Sequence, residues 1–194
     1  MSENWDQYAE EWDTNEDVKI YSEKAYKTLL ETFEIEGLNI LDFGCGTGLL
    51  TEKMAPFAHR ILAVDSSEKM ISVLKDKRLK NVITLAVNLS EETMRANKFL
   101  QVKFDLIVAS SVCAFLLDFE KTLRLLKTLL TPNGHFVQWD WLETMKDPGF
   151  GLTNNRIESA FINSGFQVLS ISKPFSLTSK DGEMKVIMGV AKKA

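Results

Sequence analysis

Asn39-Ile40-Leu41-Asp42-Phe43-Gly44-Cys45-Gly46-Thr47-Gly48-Leu49-Leu50 is the stretch that decides how this chain folds. An apolar run stops at a cluster of glycines, and a helical pattern opens directly behind them, so the segment reads as strand, tight turn, helix. Glycine belongs in such a turn because it takes positive φ without a steric penalty and leaves no Cβ in the path of a ligand. In an open parallel sheet, a turn of this kind sits at the carboxyl edge of its strand, near the point where strand order reverses.

Outward from this turn, apolar runs alternate with amphipathic stretches. The runs at 39–43, 60–64, 82–87, 104–109, 136–141, 166–171 and 186–191 are rich in Ile, Val, Leu and Phe and predict seven short strands. Between them, residues 18–33, 49–57, 67–75, 119–130 and 155–163 carry apolar positions at helical spacing. Thr131-Pro132-Asn133-Gly134 ends the fourth of these helices with a Pro that cannot continue it and a Gly free to turn. Regular alternation of strand and helix implies right-handed crossovers. The expected architecture is therefore α/β and Rossmann-like: a mostly parallel seven-stranded sheet, helices on both faces, the last strand antiparallel.

Asp65 closes the second strand about 20 residues beyond Gly44, where an acid grips the ribose hydroxyls of a nucleoside. A dinucleotide fingerprint has the form G-x-G-x-x-G/A. Counted from Gly44, its third small position falls on Leu49, and Asp42 stands just upstream of the glycines. A carboxylate there repels a pyrophosphate and suits a ligand with a cationic end.

Asp42-x-Gly44-x-Gly46-x-Gly48 resembles the first motif of the class I S-adenosylmethionine-dependent methyltransferases. The likeness continues through Asp65, through Phe104-Asp105-Leu106-Ile107-Val108-Ala109-Ser110, through the turn at Pro132-Asn133-Gly134, and through Asn163-Ser164-Gly165-Phe166. The resemblance implies S-adenosylmethionine as cofactor, with S-adenosylhomocysteine as product. Gly44, Gly46 and Gly48 would pass beneath its methionine part, Asp42 would serve the ammonium directly or through water, and Asp65 would take the ribose hydroxyls. Ser66 and Met70 would flank the adenine, Asn88 and Leu89 would lie at its edge, and Ser110 would line the sulfonium side. The family commonly has Asp where this chain has Asn88, which accepts through its amide oxygen without a charge.

Trp5-Asp6-Gln7-Tyr8-Ala9-Glu10-Glu11-Trp12-Asp13 resembles the aromatic opening of many small-molecule methyltransferases, in which this segment folds over the cofactor. Tyr8 and Trp12 are the expected lid contacts, since an aromatic face favours a sulfonium cation and a lid excludes water. The competing expectation is that these rings simply pack the first helix against the sheet.

Methyl transfer from a sulfonium is an in-line displacement, and positioning supplies much of its acceleration. A general base is required only when the acceptor must lose a proton. His59 and His135 fall at the amino edge, away from the expected site. Asp140 and Glu143, in Trp139-Asp140-Trp141-Leu142-Glu143 at the end of the fifth strand, are the candidates for orienting or deprotonating an acceptor. Cys113 reads as a small buried hydrophobe, Phe150 as part of an apolar wall, and Lys146, Asp147 and Pro148 as a solvated turn. No cluster of His and Asp suggests a metal.

The 194 residues suit one domain, with residues 1–36 as lid and first helix and 37–194 as cofactor-binding core. A formal charge of −4 gives no broad positive field, so a nucleic-acid partner is not expected. The cations at Lys75, Lys77, Arg78 and Lys80 read as a helix C-terminus in water. Cys45 and Cys113 are too few for a disulfide framework, and the polar start Met1-Ser2-Glu3-Asn4 has no leader pattern. No apolar run spans a bilayer, so no membrane partner is expected and a reducing cytoplasm is the expected compartment. The expected function is methyl transfer to a small-molecule acceptor. The alternatives are a non-catalytic or regulatory S-adenosylmethionine-binding protein and, less favoured by Leu49 and Asp42, an NAD-dependent oxidoreductase. Neither acceptor atom nor oligomeric state is legible.

Overall fold

The computed structural model describes residues 5–144, 148–179 and 182–194. Residues 1–4 of the polar start and Lys146 and Asp147 of the expected turn lie outside the described residues. Seven strands form one sheet: β1 (Asn39–Phe43), β2 (Arg60–Asp65), β3 (Val82–Ala86), β4 (Phe104–Ser110), β5 (Leu130–Trp141), β6 (Phe166–Ser179) and β7 (Gly182–Lys193). Their spatial order is β3-β2-β1-β4-β5-β7-β6, with β7 antiparallel to both of its neighbours and β1 to β5 mutually parallel. The helices are α1 (Ala9–Trp12), α2 (Glu16–Thr32), α3 (Leu49–Met54), α4 (Glu68–Asp76), α5 (Glu91–Ala96), α6 (Phe119–Leu129) and α7 (Asn154–Asn163).

The near-continuous apolar strands are explained by burial on both faces. Ile40, Leu106 and Val108 pack with Tyr21, Ala25 and Leu29 of α2 and with Leu50 and Met54 of α3. The alternate residues Leu41, Ile107 and Ala109 face Leu123 and Leu126 of α6 and Ile157 and Phe161 of α7. Helix starts follow local chemistry: the side chains of Asn15, Ser67, Asp118 and Thr153 each accept from a backbone N–H of the first turn of α2, α4, α6 and α7. Such caps stabilise a helix by about 1 kcal/mol each.

Four elements differ from the sequence reading. The fifth strand begins at Leu130 rather than 136, because the stretch 131–134 bulges out of the ladder: Phe104 pairs with Leu130 and Leu106 with His135. Asn133 takes φ 66° within that bulge. The last two strands run on as a long antiparallel pair, Phe166–Ser179 beside Gly182–Lys193, well beyond the apolar cores that signal them. Pro174 is accommodated where the β6 register shifts, and β6 is an edge strand that can spare a ladder donor. The short helix α5 is also absent from the hydropathy pattern, since none of its residues is buried.

β1, β2, β3, β4 and β5 all point their C-terminal ends the same way, and β1 lies between β2 and β4. The glycine turn therefore sits where the chain reverses the direction in which it lays down strands.

Candidate functional site at the carboxyl edge

Gly44, Gly46 and Gly48 all lie in the left-handed region, at φ 71°, 54° and 82°. Two of the three are demanded by packing as well: a Cβ on Gly44 would come 2.5 Å from the Val112 side chain, and one on Gly48 would come 2.3 Å from Leu74. Gly46 is different. A Cβ there would meet nothing nearer than Trp12 Nε1 at 3.9 Å, so its face of the turn is open below the N-terminal aromatics.

Beneath the turn, Asp42 is 1% exposed. Thr51, from the first turn of α3, donates to Asp42 Oδ2 at 2.5 Å, while Oδ1 is buried without a hydrogen-bond partner among the described residues. Burial pushes this carboxyl up to about 7, and the nearby Asp65 carboxylate adds to the rise, against the Thr51 hydrogen bond. A buried acceptor with nothing to accept is costly unless something arrives to fill it.

Asp65 stands across the turn at the end of β2. Its Oδ2 accepts from Gly46 N–H and its Oδ1 from Ser67 N–H, both at 2.9 Å. The same carboxylate that faces the site thus holds the glycine turn and the α4 entry in register. Ser66 is exposed beside it, while Met70 is buried on the inner face of α4. Asn88 is exposed past the end of β3, its carbonyl accepting from Thr93, and Leu89 is half-buried next to it. Ser110 is half-buried at the end of β4, and Ser111 follows at φ 56°, held by its N–H to Trp139 O at 2.6 Å.

The N-terminal segment covers this edge. Trp5 packs edge-on against Trp12 at 5.9 Å and against Phe115 at 5.2 Å, with Tyr8 6.0 Å from Trp5. Two acids fasten it down: Asp13 accepts from Thr47 Oγ1 in the glycine turn and pairs with Lys77 at 2.9 Å, and Asp6 accepts from Ser67 Oγ and Lys69 N–H. Sequence reasoning placed the aromatics here but assigned no work to Asp6, Asp13, Thr47 or Thr51. For Asp13 the signal was its place beside Trp12.

At the end of β5, Asp140 is 1% exposed and has both oxygens engaged, Oδ1 by Ala114 N–H at 3.0 Å and Oδ2 by Gln138 Nε2 at 2.9 Å. Burial raises it to about 7. Tyr21 and Cys113 lie against it, each with its acidity weakened first by burial and then by the Asp140 charge. Gln138 Oε1 is buried without a partner among the described residues. Glu143 is turned elsewhere: its Oε1 accepts from Gly149 N–H at 2.9 Å, next to the exposed Phe150. His59 and His135 stand at the amino edge, the latter against the Phe33 ring at 5.0 Å. Among the described residues no group of His, Cys, Asp and Glu is spaced to hold a metal.

An open, mostly parallel sheet with an antiparallel seventh strand and a glycine turn at its switch point defines a Rossmann-like nucleoside-binding fold. Residues 41–136, about half of the chain, match the family described as "Methyltransferase domain". The ubiquinone biosynthesis O-methyltransferase of Methylocella silvestris is 30% identical over 118 residues, which cover 61% of this chain and 45% of that one. Among solved structures, the N-methyltransferase NodS of Bradyrhizobium japonicum in complex with S-adenosyl-L-homocysteine superposes with a TM-score of 0.71 at 19% identity, covering 98% of this chain and 99% of that one. A DhpI–SAH complex superposes at 0.73 with 16% identity over 98% and 93% of the two chains. Residues 41–136 thus carry a methyltransferase-domain match, on a fold shared with S-adenosylmethionine-dependent methyltransferases. The chain spans about half the length of the curated relatives it matches. The family match sets the nicotinamide alternative aside.

Proposed function

We propose that this protein binds S-adenosylmethionine at the carboxyl edge and transfers its methyl group to a small-molecule acceptor. The observation that carries the reading is Asp42 Oδ1, a buried and unpartnered acceptor directly under three left-handed glycines. A primary ammonium is the complement of that atom, and the open face at Gly46 leaves room for the chain that bears it. When bound, S-adenosylmethionine supplies a methyl group made electrophilic by its sulfonium sulfur.

This chain's residues then divide the work. Asp42 holds the ammonium directly or through water, and Asp65 has lone pairs left beside its two backbone N–H bonds for ribose hydroxyls. Ser66 and Met70 bound the adenine, with Asn88 and Leu89 at its edge. Ser110 lines the reacting side. Tyr8 and Trp12, with Trp5 and Phe115, exclude water from the cleft. Asp140 acts as a positioning residue: its carboxylate fixes Ala114 and hence the turn bearing Phe115. Glu143, occupied by Gly149, has no part in proton transfer under this reading. The acceptor enters between the N-terminal segment and the end of β5, and the chain acts as a single domain in the cytoplasm.

Calorimetric titration with S-adenosylmethionine, S-adenosylhomocysteine and NAD tests the reading. Saturable binding of the first two and none of NAD supports it; the reverse overturns it. Binding without methyl transfer to any of a panel of phenols, amines and thiols favours the regulatory alternative.

A further inference from the structure

At the amino edge of the sheet, opposite the site above, the layers leave a gap. The helix between β3 and β4, α5, is only six residues long and buries none of them, so the outer strands on that face are incompletely covered. Every residue of β3, the edge strand on that side, is only half-buried. A cleft of about 200 Å³ opens there, floored by Leu62, Ile83 and Phe99 and rimmed by Arg60, Val102 and Lys103. Its size is that of a single aromatic ring with a short substituent, since an apolar cavity of about 150 Å³ accepts benzene.

The rim is cationic, and its charges are not neutralised. Arg60 is exposed, and its guanidinium has no hydrogen-bond or ion-pair partner among the described residues. Lys103 donates to the Thr128 carbonyl, and Lys193 to the Leu130 carbonyl, rather than to carboxylates. Lys193 loses its proton more readily than an ordinary lysine, through burial and then through the charges of Lys103 and Lys127. Lys98 lies over the Phe99 ring at 5.2 Å and adds a further cation beside the floor. One acid stands beside the rim, Asp105, which accepts from Asn39 N–H and the Thr131 hydroxyl and is outnumbered by the cations around it. A larger cleft between α5 and α6 places Glu91 and Arg95 together and so favours no single charge.

We propose that this amino-edge cleft is a second ligand site, selective for a monocyclic aromatic carboxylate, whose ring lies on Leu62, Ile83 and Phe99 and whose carboxylate is taken by Arg60 with Lys103. Arg60 is the main anchor because a guanidinium matches a carboxylate in two parallel hydrogen bonds. β2 runs from Arg60 to Asp65, so the second site and the ribose acid stand at opposite ends of one strand.

The test is methyl NMR on the full-length protein titrated with benzoate and, separately, with its neutral isostere benzamide. Saturable shifts at the Leu62, Ile83 and Val102 methyls are expected for benzoate, much weaker ones for benzamide, and about tenfold weaker benzoate binding in Arg60→Gln. Arg60 is exposed and unpartnered, so this variant should fold normally. Val102→Asp, which sets a carboxylate on the rim, should give the same loss. The proposal is overturned by equal binding of benzamide, by absence of shifts at these methyls, or by benzoate shifts confined to methyls beside the glycine turn, such as those of Val112.

Discussion

The Thr51 hydroxyl donates to one oxygen of Asp42 at 2.5 Å and leaves the other buried with nothing to accept. Asp42 is therefore half-satisfied, and it sits in surroundings that favour its neutral form. Its carboxyl is raised to about 7, and Asp140, buried at the end of β5 in the same sheet with β4 between them, is likewise raised to about 7.

A consequence is a stability that falls as pH rises. An aspartate in the unfolded chain titrates near 3.9. A carboxyl raised above that value contributes stability that is fully present below about pH 4 and fades as pH climbs through about 7. The ligand-free protein should lose a few kcal/mol across that window. Asp42→Asn and Asp140→Asn should each flatten part of the slope, as read by urea unfolding at a series of pH values. A wild-type stability constant from pH 5 to 8 would contradict the assignment.

Cofactor affinity should move the other way. If an ammonium meets Asp42 as a carboxylate, binding is strengthened as pH rises toward 7 and releases a proton below it. Asp42→Asn should weaken binding about tenfold or more and remove the proton release. Calorimetry in buffers of different ionisation enthalpy reads both.

The three glycines should separate under substitution. Gly44→Ala and Gly48→Ala drive a methyl into Val112 and Leu74 and should destabilise by about 3 kcal/mol or more. Gly46→Ala meets open space, so only its left-handed backbone is strained, by about 1–2 kcal/mol. Its larger effect should be on ligand binding, because the added methyl stands in the open face of the turn. Thermal unfolding and calorimetry on the same three variants would expose the opposite pattern if the turn were merely structural.

Asp13 clamps the N-terminal segment to Thr47 and to Lys77. Lys77 also pairs with Glu52 at 3.1 Å, in a partly exposed network whose contribution to stability is within about 1 kcal/mol. Asp13→Ala should thus leave the melting temperature nearly unchanged while speeding cofactor release. Stopped-flow fluorescence of Trp5 and Trp12 follows that rate, and an unaltered release rate would remove Asp13 as a latch.

Much of this architecture is written in the local pattern. β1 is legible to the residue because its apolar run is bounded by Asn39 and by the glycines that follow Phe43. The pair of β6 and β7 is not, because Lys173-Pro174-Phe175-Ser176-Leu177 packs on one side only and carries a Pro that masks a strand. The carboxyl edge was legible through Asp42, Asp65 and the glycines, whose chemistry is local. The clamps were not. Asp13 to Thr47 joins residues far apart in the chain, and the commitment of Asp140 to Ala114 appears only once β5 lies beside β4. α5 carries a readable Ser90 cap but no apolar stripe, so hydropathy passes over it.

Titration of S-adenosylhomocysteine into the wild-type protein and Asp65→Ala by calorimetry tests the central claim most directly. Asp65 holds Gly46 and Ser67 through their N–H groups, so its loss should loosen the turn as well as remove the ribose acceptor. The expected result is saturable wild-type binding that falls about a hundredfold in the variant, with thermal unfolding showing the variant still folded. Equal affinity in the two proteins would contradict the placement of the site at the carboxyl edge.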